Sequence, residues 1–302
     1  MADHMEELLT LVYDGGIYRF NELQELIEDT GSFILRREET AVSVSAVIAV
    51  SQIDYEAMKE KSAQLGGELK RAPLAGTEIA VVSPSPSGRH LPHPTCDIAE
   101  FFRRSGAQTM LISLARGAGQ EPLILADEAR LINECDIAIF IMGDAKYCLE
   151  AKKNVLFKSL TVPVVVAGGP DSATIPGAAA YAGGFGRRVK RMTGGEDIQQ
   201  LERLVGAVDR CLEERKRSLY PDLPSVSLPA LSQLIANQIP EIRDVLSPSP
   251  VTIKLDGLRI KLPYDCFSTI VSSLNIQDRK LGDLATISRS VLKDHILVKL
   301  HP

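Results

Sequence analysis

Apolar positions change their spacing several times along the chain, and each change marks a different kind of element. Within residues 1–75, "LLTLVY" is an apolar run closed by Asp14, Gly15 and Gly16. Phe20, Leu23, Leu26 and Ile27 then recur at helical spacing up to Gly31. "SFILRR" follows, and "AVSVSAVIAV" places Val42, Val44, Ala46, Ile48 and Val50 at period two. Met58, Ser62 and Leu65 predict a second helix, stopped by Gly66 and Gly67, and "GELKRAPL" a last strand. This βαββαβ order predicts a ferredoxin-like domain, a name that describes a fold and implies no iron.

From Thr77 to about Tyr220 the rhythm becomes strand then helix, repeated. "EIAVV", "QTMLISL", "DIAIFIMG", "VPVVVAGG" and the weaker "AAAYAGGFG" are near-continuous apolar runs. Such runs between helices predict a parallel sheet covered on both faces. A long helix from Glu196 to Arg217, with Leu201, Leu204, Val205, Val208, Cys211 and Leu212 on one stripe, closes it. The expectation is a flavodoxin-like doubly wound domain over residues 76–220.

"YPDLPSVSLP" reads as a linker, stiffened by its prolines. Beyond it come a helix ("ALSQLIANQI"), a hairpin "VTIKLDGLRIKL" turned at Asp256 and Gly257, and a final strand "DHILVKL". Residues 221–302 are therefore expected to form a small α+β interaction domain.

Composition narrows the function classes. A formal net charge of -5, with acidic and basic residues mixed, supplies no phosphate footprint and argues against nucleic acid. Aromatics at 5% and the absence of Trp disfavour base stacking. No apolar run approaches the roughly 18 residues of a membrane span, and "MADHMEELLT" lacks the signal-peptide pattern. Five scattered Cys with no CxxC pair predict a reducing cytoplasm rather than a disulfide scaffold.

Ligands of open parallel sheets bind beyond the carboxyl ends of the strands. That rule gathers Arg89, Arg116, Gly117, Gly143, Gly168, Gly169, Gly184 and Arg187 as candidates for holding an anionic group. Glycine is also simply common at such turns. The stretch "GRHLPHPTCDIAE" adds possible metal ligands at His90, His93 and Cys96. Pro94 suits a first helical position, and Cys96 projects away from the core stripe of Ile98, Phe101 and Phe102. A thiol in a first helical turn meets the positive end of the macrodipole, which favours thiolate. Cys135, Cys148 and Cys211 read as structural, and Cys266 has no assigned role. Three readings are open for Cys96: a nucleophile with a His base, one ligand of a metal centre completed by other subunits, or a solvent-facing thiol on a rigid corner. The competing functional class is a stand-alone Cys/His enzyme acting on an anionic small molecule. No Asp or Asn is marked as orienter for its imidazole.

"PLAGTEIAVVSPSPSGRHLPHPTCDIAEFFRRSGA", "ISLARGAG", "PVVVAGGP" and "VLSPSPVTIKLDGLRIKLPYD" together resemble the methanogenesis marker protein 7 family. The resemblance runs over nearly the whole chain. It implies a subunit of the ATP-dependent complex that reductively activates methyl-coenzyme M reductase in methane-metabolising archaea. The implied partners are marker proteins 3 and 17, the C protein of the reductase operon, the reductase itself and an ATP-binding-cassette ATPase. The implied cofactor is an iron–sulfur cluster, which an incomplete ligand set built on Cys96 would share with other subunits.

Overall fold

The computed structural model describes residues 8–83, 93–114, 123–151, 153–186, 190–219, 226–276 and 278–301. Its first unit runs β1 (Leu8–Gly16), α1 (Phe20–Asp29), β2 (Phe33–Glu39), β3 (Ser43–Ser51), α2 (Tyr55–Gln64) and β4 (Glu68–Arg71). The four strands pair antiparallel in the order β2-β3-β1-β4. The period-two residues Val44, Ala46, Ile48 and Val50 pack with Leu11, Tyr13, Phe20, Leu23, Ile27 and Met58. Val42 lies before β3 and is exposed. The opposite face of β3 is buried too, because Val47 packs with Val12 and Ala72.

The second unit contains β5 (Glu78–Ser83), α3 (His93–Arg104), β6 (Gln108–Ser113), α4 (Ala126–Asn133), β7 (Ile137–Ile141), α5 (Lys146–Ala151), β8 (Val164–Ala167), β9 (Ala180–Ala182) and α6 (Gly195–Leu219). All five strands are parallel, in the order β6-β5-β7-β8-β9. Alternate residues of β5 feed two cores. Ile79 and Val81 pack with Ile98 and Phe102 of α3 and with Leu201, Leu204 and Val208 of α6. Ala80 and Val82 pack on the other side with Ile132, Phe140, Leu149 and Leu156. A sheet buried on both faces explains why its strands read as unbroken apolar runs.

The third unit begins with α7 (Leu228–Gln238), followed by β10 (Val251–Lys254), β11 (Gly257–Ile260), α8 (Tyr264–Ser273), the two-residue strands β12 (Asn275–Ile276) and β13 (Arg279–Lys280), α9 (Leu281–Leu284), β14 (Ala285–Arg289) and β15 (Ile296–Leu300). Four strands form an antiparallel sheet ordered β10-β11-β15-β14, with α7 and α8 contributing to one core. The fold is thus mixed α/β, one parallel sheet between antiparallel ones.

The units are joined by polar contacts that the linker composition does not foretell. Arg36 of β2 is buried and donates to the carbonyls of Ala107 and Arg103 (both 2.8 Å), at the end of α3. At the amino ends of the parallel strands, Arg259 of β11 is fully buried. Its Nε donates to Glu78 Oε1 at 2.9 Å, its Nη2 to Glu78 Oε2 at 2.9 Å, and its Nη1 to Glu134 Oε2 at 3.1 Å. Ser290 Oγ also donates to Glu134, at 2.6 Å. Asp136 accepts from the amides of Glu78 (2.8 Å) and Leu255 (3.1 Å), stitching β5, β7 and the third unit together. Among the described residues, no helix is long and apolar enough to cross a membrane.

Candidate functional site

Chain order reverses at β5, which leads to β6 on one side and is flanked by β7 on the other. Ligand crevices of open parallel sheets form above that point. The described residues that reach it are the start of α3, the β7–α5 connection, and the segments following β8 and β9.

The first turn of α3 sorts its side chains sharply. Thr95, Ile98, Ala99 and Phe102 fall three, four and seven residues apart and are all fully buried. Cys96 is exposed, as its position off that stripe predicts. Asp97 is buried and accepts from Arg191 Nε at 2.9 Å and from the Met192 amide at 2.8 Å. Two bonds therefore tie the start of α3 to the segment after β9, and Met192 extends the tie into the core beneath. The Thr95 hydroxyl is buried without a hydrogen-bond partner.

The candidate glycines that the structure describes bring loops together. The Gly169 amide donates to Gly143 O at 3.2 Å, the Gly184 amide to Gly169 O at 3.3 Å, and the Phe185 amide to Gly168 O at 2.8 Å. A Cβ on Gly169 or on Gly186 would fall on the Asp144 carboxylate. A Cβ on Gly168 would lie 2.6 Å from the Tyr181 hydroxyl, which donates to Pro170 O at 2.6 Å. Gly143 has nothing within 4 Å of its would-be Cβ, so close approach does not demand glycine there. The glycines at 168, 169 and 186 thus admit the protein's own side chains, which is the plainer reading of a glycine-rich turn.

Of the other candidates, Arg89, Arg116, Gly117, Arg187 and His90 lie outside the described residues, as does the side chain of His93. Among the described residues, no group of three or more His, Cys, Asp or Glu is arranged to hold a metal ion. Cys135 and Cys211 are buried, and Cys266 is exposed in the first turn of α8. Burial pushes the Cys135 thiol well up and the Cys211 thiol up, as suits inert core sulfur. Cys148 is half-buried on the short helix α5, which ends at Ala151.

The same edge exposes large apolar groups. Tyr147 in the first turn of α5 is 74% exposed, Ile198 in the first turn of α6 41%, and Leu123 and Leu125, just before α4, 58% and 53%. Exposed apolar side chains at the starts of three helices leave this end of the sheet available to a partner. Sequence reasoning missed Thr95, Asp97 and Arg191 as members of the site. The available signal was the Thr-Cys-Asp run itself, three small polar side chains in one first turn that cannot all face solvent.

An α/β protein that displays a cysteine and apolar side chains at one edge of a parallel sheet defines a broad class only. The family is more specific: the sequence model of methyl-coenzyme M reductase operon protein C matches residues 8–274, and the chain belongs to that family. It is 40% identical over 291 residues to an uncharacterised protein of Methanocaldococcus jannaschii, covering 96% of this chain and 93% of that one. It is 29% identical over 115 residues to the methyl-coenzyme M reductase operon protein C of Methanococcus vannielii, a match covering 33% of this chain and 58% of that protein. A solved glutamyl-tRNA reductase from Methanopyrus kandleri is 9% identical with a TM-score of 0.22, too low to bear on the fold. Membership in the family associates the chain with the methyl-coenzyme M reductase operon and so with methanogenesis. Its resemblance to marker protein 7 is a finer statement than this match.

Proposed function

We propose that this chain is a non-catalytic, cytoplasmic subunit of the assembly that reductively activates methyl-coenzyme M reductase. In this reading Cys96 is its contribution to an iron–sulfur cluster shared with neighbouring subunits. One observation carries the reading: Cys96 is exposed on a helix whose start is fixed by the buried Asp97, at the end of the sheet where Tyr147 and Ile198 are also exposed. The described residues do not fit a complete cluster site, since a single thiol cannot satisfy one. They do fit a single ligand presented at an interface. The bound cluster would supply low-potential electrons toward the nickel tetrapyrrole of the reductase. The chain's own part is to hold the thiol on a rigid helix and to close the site with a partner. Marker proteins 3 and 17, the operon C protein and an ATP-binding-cassette ATPase are the proposed companions. Because this chain itself belongs to the operon protein C family, the assembly would contain two related chains.

Anaerobic co-purification with these partners, followed by iron and acid-labile sulfide analysis, tests the proposal. Cys96→Ser lowers cluster content, whereas Cys148→Ser and Cys211→Ser leave it unchanged. Iodoacetamide labels Cys96 in the isolated chain and fails to do so in the complex. Equal iron loss in all three variants, or unchanged Cys96 labelling after assembly, overturns the ligand role.

A further inference from the structure

We propose that the start of α3 is a binding site for a phosphate-type oxyanion, held by the Thr95 hydroxyl, the open amides of the first helical turn and the Arg191 guanidinium. The site does not depend on the cluster reading, because it uses none of the sulfur chemistry of Cys96.

Three observations converge on it. The Thr95 hydroxyl is fully buried and unpaired. Native proteins pair nearly all such groups, so an orphan hydroxyl in this position points to a partner that the described residues do not supply. Its direction follows from helix geometry. Side chains lean toward a helix's N-terminus, and Thr95 shares the inner stripe with Ile98, Ala99 and Phe102. It therefore points to the open end of α3, above the carboxyl ends of the strands. Second, Pro94 has no N–H, but the amides of His93 and Thr95 in the first turn of this 12-residue helix have no intrahelical acceptors and lie at the positive end of its dipole. Third, Arg191 is fixed through its Nε by Asp97 while its side chain stays 65% exposed, which leaves the rest of its donor fork turned outward.

The donor set decides the ligand. A hydroxyl, backbone amides and a guanidinium all give hydrogen bonds, and the carboxylate of the same helix start, Asp97, is already taken by Arg191 and Met192. That combination suits a tetrahedral anion accepting from several directions, and the Arg191 charge disfavours a cation. The strand order puts the site at the reversal point between β5 and β7.

Calorimetric titration of the full chain with inorganic phosphate, in buffer free of phosphate and sulfate, tests the site. One saturable site is expected. Thr95→Val weakens it at least about tenfold, the scale of a lost hydrogen bond to a charged group, while melting at the same or a higher temperature because an unpaired buried hydroxyl is gone. Thr95→Ser retains binding. Arg191→Gln, whose amide can still donate to Asp97, weakens it severalfold and covers the case in which the helix variant misfolds. Competition by glycerol phosphate at lower concentration than phosphate assigns the site to a phosphate monoester; the reverse order assigns it to the free anion, and either supports the site. No saturable heat up to about 10 mM phosphate, or wild-type affinity in Thr95→Val, overturns it. Neither result touches cluster content, so this proposal and the cluster reading fail separately.

Discussion

The two ends of the parallel sheet are built on opposite terms. At the amino end, charges are buried and answered: Arg259 by Glu78 and Glu134, Asp136 by two amides, and Lys254 by Asp256 at 3.2 Å. Near them only His295 Nδ1, among the described residues, is buried without a partner, and burial lowers that ring to about 4, followed by the nearby charge of Arg259. At the carboxyl end a hydroxyl is orphaned, a thiol is exposed and apolar side chains face outward. One end is complete but for that ring nitrogen, and the other presents unmet bonding capacity together with exposed reactive and apolar groups. A site of action belongs where the chain has left partners wanting, and polar completeness marks an anchor.

The contrast can be broken most forcefully at Arg259. Arg259→Met leaves Glu78 and Glu134 in a buried setting without their cation. Loss of one partner of such a pair costs about 3 to 5 kcal/mol, read from urea denaturation midpoints at constant slope. A loss under about 1 kcal/mol would show that water reaches the network and that the amino end is no anchor.

A pH series probes the same end. Burial pushes Asp136 up to about 6 from 3.8, against the pull of Lys254 and the Glu78 amide. The folded carboxyl thus holds its proton more tightly than the unfolded one. Its stabilising contribution is full below about pH 4 and is lost as pH rises through about 6, on the order of 3 kcal/mol in all. Asp136→Asn cannot ionise, so the stability difference between wild type and variant should change across that window. Parallel profiles from pH 4 to 7 would remove the assignment.

The smallest effect belongs to the other end. Cys96→Ser changes an exposed side chain that packs against no core, and its stability should stay within about 0.5 kcal/mol of wild type. A larger loss would mean that the thiol is structural, returning the stretch around it to a rigid corner.

Much of this architecture was legible in the sequence, for reasons that differ by element. The five parallel strands announce themselves because two cores bury both faces of each central strand. The outward setting of Cys96 follows from helical spacing alone. The amino-end network was not legible, since Glu78 and Arg259 are 181 residues apart and each reads as an ordinary surface charge. The proline-rich segment at 220–229 marks where the chain passes from one sheet to the next. Composition gives no hint that Asp136 and Glu78 are bonded across that passage. The link from Asp97 to Arg191 escaped for a related reason: it spans 94 residues and joins a helix start to a loop with which it shares no motif.

Helix α3 is gripped at both ends by groups that are not its own. Asp97 binds its beginning to the segment after β9, and Arg36 of the first sheet clasps the carbonyls at and beyond its close. Its 12 residues span about 18 Å. Clamped in this way, the helix is a strut: it sets the distance and direction between the Cys96 turn and the first sheet, two parts of the molecule that share no strand.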